Sequence, residues 1–254
     1  MDVIKKHLTN GQYLVDKFEK YSQFLHHTVG TTAMSAWRWW NATPDRVGTA
    51  QMIDRDGSIW EMFDPAMWAW HLGVRGDDNW HEKHSINIEI VSCGPLRYVD
   101  KKFLFYPLWP NKLHFTEIPK SDVYTFSKPW KGHQHWHIYT EAQLESLKWQ
   151  IGRNALDFPT LELNNDMSKI FEFDQSVLDD HTPGIWTHNT VRKDKTDPFP
   201  YPPLIEALQE VQDELLNVRK ATVIPEVKKV STKKSSTKKS TSKSSKSDSS
   251  EPNS

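Results

Sequence analysis

"SINIEIV", residues 85–91, alternates without a break: Ile86, Ile88 and Ile90 fall on one side, Ser85, Asn87 and Glu89 on the other. A period of two is the mark of a β-strand with one apolar and one polar face. The residues around it interleave strand and helix signals. "QFLHHT" (23–28) reads as a short apolar strand, and Thr32 to Trp40 as a helix rich in tryptophan. "TAQMID" and "SIWEMF" flank Asp56-Gly57, a strong hairpin turn signal. Thr140 followed by Gln143 forms a capping box, with Leu144, Leu147 and Ile151 as the buried stripe of the helix it opens. A last helix is predicted from Pro203, a favoured first-turn residue, with Leu204, Leu208, Val211, Leu215 and Val218 on its apolar face. Strands and helices alternating in this way predict a single α/β domain, a mixed central β-sheet flanked by helices.

Composition narrows the chemistry. The 254-residue chain has a net charge of −1, which averages two unlike parts. From Val223 onward eight lysines face only Glu226, Asp248 and Glu251, so the tail is basic and the body acidic. The tail, "STKKSSTKKSTSKSSKSDSSEPNS", has neither aromatics nor an apolar period and cannot offset the entropy of ordering. It is read as a disordered segment over 221–254, following a folded domain over 1–220. Its lysine pairs suit anionic wall polymers, nucleic acid or membrane surfaces, or serve only to keep the chain in solution. The single cysteine, Cys93, excludes a disulfide framework and Cys-rich zinc sites, leaving His and carboxylates as metal ligands. "MDVIKKHLTN" carries no apolar leader and no run is long enough to span a bilayer, so synthesis in the cytoplasm is expected. Twelve tryptophans hint at a ligand bearing sugar rings.

The candidate reactive residues come from three segments. His26 and His27 are adjacent on a strand and point to opposite faces, so one strand aims only one of them at a given metal. His188 follows the apolar "GIW" at a strand end, and Asp197 lies in "KDKTDP" just before Pro198. Two histidines and a carboxylate leave the fourth zinc position open to water, the pattern of a catalytic site. Glu89, on the polar side of its strand, is placed to act as general base. Lys195 is placed to stabilise an oxyanion. Singly, each is an ordinary surface or hydrogen-bonding residue. A second group, His133, His135 and His137 in "HQHWH", would share one face of a strand but has no carboxylate beside it. Residues 93–139, with five prolines and many aromatics, show no clear period and read as an insertion or a wall of a cleft.

"FLHHTVG", "RVGTAQMIDRDGSIWEMF", "WAWHLG", "SINIEIV" and "WTHNTVRKDKTDP" resemble, in order, the blocks of the amidase-2 family, over residues 24–198. These are zinc N-acetylmuramoyl-L-alanine amidases, related to peptidoglycan recognition proteins. The resemblance implies Zn²⁺ on His26, His188 and Asp197, Glu89 as base and Lys195 as the oxyanion-stabilising cation. It implies hydrolysis of the amide between N-acetylmuramic acid and L-alanine, with peptidoglycan as the substrate. Trp70 and His71 match cleft positions that either contact substrate or hold a strand end. Thr49 stands where some members carry a catalytic tyrosine, which gives Glu89 more weight. Ala50, Gln51 and Phe199 also depart from the common pattern, and the interval from His188 to Asp197 is one residue shorter than in the recycling members. A phage endolysin released by a holin is the cellular role expected first, ahead of wall recycling. The competing reading is a peptidoglycan-binding module of the same fold without catalysis.

Overall fold

The computed structural model describes residues 1, 3–9, 11–74, 77–105, 115–163, 166–167 and 169–223. The 221–254 tail expected to be disordered lies outside these beyond Val223. In chain order the elements are β1 (Val3–Lys5), β2 (Ser22–Val29), α1 (Ala33–Ala42), β3 (Gln51–Ile53), β4 (Ile59–Glu61), α2 (Trp80–Lys83) and β5 (Ser85–Ser92). There follow β6 (Pro95–Val99), β7 (Lys102–Phe105), β8 (Thr116–Ile118), β9 (Val123–Trp130) and β10 (His133–His137). The chain then forms α3 (Glu141–Asp157), α4 (Gln175–Asp179), β11 (Gly184–Thr187), α5 (His188–Val191) and α6 (Pro202–Val223).

Six strands make a mixed sheet in the order β1-β4-β3-β5-β2-β11, parallel except for the β3/β4 hairpin. The alternation in β5 sorts its neighbours. Ile88 lies opposite Leu25 of β2 and Gln51 of β3, while Glu89 lies opposite His26 and Met52. Ile88 and Ile90 join the core formed with Leu144, Leu147 and Ile151 of α3 and Leu204 and Leu208 of α6. The opposite face holds His26, Asn87 and Glu89, beside a second core of Met52 and Val91 with Ala33, Ala36 and Trp40 of α1. Each fully buried Ile or Leu is worth about 1.5–3 kcal/mol. The layers therefore position the polar face as a by-product of burying the apolar one.

Local signals account for the element ends. Thr32 caps α1 by accepting from the amide of Ser35, and Thr140 and Gln143 form both bonds of the capping box on α3. The β3/β4 turn needs Gly57: its φ is +85°, and a Cβ there would meet the Ala142 carbonyl oxygen at 2.8 Å. Helix α6 begins one residue before the predicted Pro203, and its stripe stops at Leu215. Val218 is 53% exposed and lies outside the core cluster that takes in Leu215.

The largest addition is a second sheet. Among the described residues, 95–105 and 116–137 build five antiparallel strands ordered β8-β7-β6-β10-β9, where the sequence showed no clear period. The strands are short, and aromatics occupy both faces: Trp136 and Tyr124 pack into the main core, while Leu96, Phe105 and Ile118 form a separate one with Cys93. Alternation between apolar and polar residues is thereby lost. Among the described residues, no helix is long and apolar enough to cross a membrane.

Candidate metal centre and active-site cleft

Three segments of the chain meet at one point. β2 delivers His26, the residue after β11 delivers His188, and the loop that follows α5 returns with Asp197. One ligand atom from each of His26, His188 and Asp197 lies within 4.8 Å of the others, the one such group among the described residues. Asp197 Oδ2 stands 2.9 Å from His188 Nδ1 and 3.7 Å from His26 Nδ1.

The far nitrogens of both rings are committed. His188 Nε2 donates to the Leu72 carbonyl at 3.0 Å, and His26 Nε2 to Asn87 Oδ1 at 3.2 Å. A carbonyl oxygen only accepts, so Nε2 of each ring is committed as a donor and Nδ1 is the nitrogen that faces Asp197, the atom available to a metal. Histidine ligands are held in this way around metal ions. The donor set of two imidazoles and a carboxylate fits zinc. Burial alone would raise the Asp197 carboxyl. The His188 charge and hydrogen bond, with His26 beside them, outweigh it and hold the group well below the usual carboxylate range. His27 points to the opposite face, where Nδ1 meets the Tyr139 hydroxyl at 3.1 Å. Burial depresses its pKa to about 4, so it stays neutral there.

The centre opens into a cleft of about 540 Å³, lined also by Glu89, Lys195, Thr49, Trp70, His71, Trp39, Trp40 and Phe105. Glu89, next to His26 across the β2/β5 pairing, has its Oε2 shielded from solvent with no hydrogen-bond partner among the described residues. Loss of hydration, with Asp197 adding to it, raises its carboxyl to about 7 against the pull of His26 and Lys195. A carboxylate poised near neutrality in a cleft has the character of an acid–base group.

Sequence reading missed the residues that brace the centre. Glu82, fully buried on α2, accepts from the amides of His71, Leu72 and Gly73 at 3.0, 3.2 and 3.0 Å. It therefore fixes the loop whose Leu72 carbonyl orients His188. Arg192 Nη1 donates to the carbonyls of Leu72 and Gly73 from the other side. Asn87 also donates through Nδ2 to His71 Nε2, which lies 3.0 Å from Glu82 Oε2. His71 thus holds the loop and lines the cleft at once. Asn87 was visible in the strand alternation, but nothing in the sequence ties it to His26.

"HQHWH" does not converge. A register shift lies between His133 and His135. His135 meets Thr125 Oγ1 at 2.9 Å, and His137 accepts from the Cys93 amide at 3.0 Å. The bulge and these separate commitments break the shared face that the spacing suggested.

A mixed sheet carrying a His/His/Asp group that could hold a metal ion, in an aromatic-walled cleft, defines the class: an α/β fold with a candidate hydrolytic site. A family model described as N-acetylmuramoyl-L-alanine amidase matches residues 22–200, and the chain belongs to that family. Solved structures are similar to the chain at low identity. PlyL is 11% identical, over 82% of this chain and 97% of that one, with a TM-score of 0.46. The Staphylococcus aureus hydrolase AmiA, solved with its ligand, is 12% identical over 87% and 86%, with a TM-score of 0.48. The Ph2119 endolysin from the Thermus scotoductus MAT2119 bacteriophage Ph2119 is 12% identical over 83% and 99%, with a TM-score of 0.42. Among curated proteins, none matches.

Proposed function

We propose that the protein is a zinc-dependent amidase that hydrolyses the bond between N-acetylmuramic acid and the L-alanine of the peptidoglycan stem peptide. The observation that carries this is the convergence of His26 Nδ1, His188 Nδ1 and Asp197 Oδ2 beside Glu89, whose buried Oε2 has no hydrogen-bond partner among the described residues. His26, His188 and Asp197 would hold the ion. Zinc bound there supplies Lewis acidity and makes water nucleophilic near neutral pH.

The chain's own groups do the rest. Glu89, as carboxylate, takes the proton of the attacking water and passes it to the departing alanine nitrogen. Lys195 brings positive charge to the oxygen on which negative charge develops. Trp39, Trp40, Trp70 and Phe105 offer ring faces and edges for the sugar and lactyl parts of the substrate. The lysine pairs of the tail add attraction to anionic wall polymers, and the setting is host lysis or wall remodelling.

The test is release of soluble peptide from purified peptidoglycan, with and without a chelator, for the wild type and Glu89→Ala. New L-alanine N-termini that vanish on chelation and in the variant are expected. Bound zinc with no release from several wall chemotypes overturns the reading in favour of a binding module.

A further inference from the structure

The second sheet packs Tyr124, Phe126 and Trp136 against Phe199, and reaches the loop before it through the β9/β10 turn. β9 and β10 are joined by Lys131 and Gly132, both at positive φ (45° and 83°), the conformation of a two-residue hairpin turn. The first position of such a turn is usually Asn, Asp or Gly, which tolerate the left-handed region. Here it is lysine, whose Cβ is disfavoured there. Its side chain does what the usual residues cannot. Nζ donates to the carbonyl of Lys195 at 2.5 Å and to Asn189 Oδ1 at 2.7 Å. Asn189, fully buried, in turn donates through Nδ2 to the Pro198 carbonyl at 2.6 Å. The segment 195–198, which bears both Lys195 and Asp197, is therefore held at Lys195 by Lys131 directly and at Pro198 by Asn189, which Lys131 also contacts. The other backbone bond of Lys195 is a long one, from its amide to the Arg192 carbonyl at 3.3 Å.

We propose that Lys131 is a positioning residue: the second sheet acts through it as a clamp that sets the direction in which Lys195 enters the cleft. The proposal rests on the amidase reading for the role of Lys195. Lys131 itself does not line the cleft. A clamp that fixes a cation against a developing charge affects the chemical step more than substrate capture.

Lys131→Asn is the informative variant, because asparagine suits the turn and is too short to reach the Lys195 carbonyl. Its thermal midpoint is expected to equal or exceed that of the wild type, with zinc content unchanged. On the peptide-release assay kcat is expected to fall on the order of 10- to 100-fold with KM within about twofold. Lys131→Arg should recover most of the rate. In a Lys195→Met background, Lys131→Asn should cost nothing further, since residues acting as a unit are not additive. Wild-type kcat in Lys131→Asn, or the same loss in both backgrounds, overturns the proposal. The clamp is also read without turnover, from the NMR signal of reductively ¹³C-methylated Lys195, which should shift in Lys131→Asn. No shift there counts against the clamp, whereas a shift in a protein that releases no peptide leaves the clamp standing and removes the amidase reading.

Discussion

His188 and Leu72 are 116 positions apart in the chain, yet the ring Nε2 of one donates to the backbone carbonyl of the other at 3.0 Å. That bond commits Nε2 and leaves Nδ1 as the nitrogen that faces Asp197. It is only as firm as the loop holding Leu72, and that loop hangs on the buried carboxylate of Glu82.

Replacing Glu82 with glutamine puts an NH₂ where an oxygen accepts backbone amides. Outer residues that orient metal ligands typically cost 10- to 100-fold in affinity when changed, and Glu82→Gln is expected to weaken zinc binding by about that factor. Competition with a chromophoric chelator measures it; wild-type affinity in the variant removes Glu82 from the support of the centre.

Glu89→Gln should separate stability from activity. The folded metal-free protein holds this carboxyl at about 7, above its unfolded value of 4.5. Between those values the folded state binds the extra proton, so stability falls as pH rises through this window and stays lowered above it. Glutamine removes that cost. At pH 8 the metal-free variant is expected to melt roughly 2–4 °C above the wild type, the shift made by about 1 kcal/mol in a chain of this size. A midpoint at or below wild type, by calorimetry with chelator present, contradicts the prediction.

Lys20 gives a second pH dependence with the opposite slope. Its ammonium is buried, donating to the carbonyls of Met67 and Lys83, and burial lowers its pKa from 10.5 to about 7 against the attraction of Asp64. Between about 7 and 10.5 the unfolded chain holds the proton that the folded chain has lost. This group therefore makes stability rise with pH across that window, and its desolvation cost is present in full below it. Urea titrations at pH 6.5, 8 and 9.5 should show the wild type gaining on Lys20→Met at each step. A constant difference between the two proteins rules the effect out.

Ile88 and Val218 test the layer boundaries. Ile88 is fully buried between β2 and β3, whereas Val218 is 53% exposed on α6. Ile88→Ala is expected to cost about 2–5 kcal/mol and Val218→Ser less than about 0.5 kcal/mol, both by urea denaturation. A large loss at Val218 would extend the helix stripe back to the length read from its spacing.

Much of the architecture was legible because it is written in local periods. The alternation of Ile86, Ile88 and Ile90, the Asp56-Gly57 turn, the Thr140/Gln143 capping box and the stripe of α3 each depend on residues a few positions apart, and each is present in the fold. The second sheet was not legible, because its short strands bury aromatics on both faces and so present no alternation.

For the site, residue types and the amidase-2 blocks were enough to nominate His26, Glu89, His188, Lys195 and Asp197. What they leave undecided is orientation. Adjacent histidines on a strand point to opposite faces, and only the packing of α3 on the Leu25/Ile88 side assigns His27 to Tyr139 and His26 to the cleft. The sequence by itself determined which groups exist and in what order the chain presents them. The tertiary structure decided which nitrogen faces Asp197, which carboxylate loses its water, and which carbonyls Glu82 and Lys131 hold still. Those are consequences of burial and of bonds between residues remote in sequence, and no local pattern encodes them.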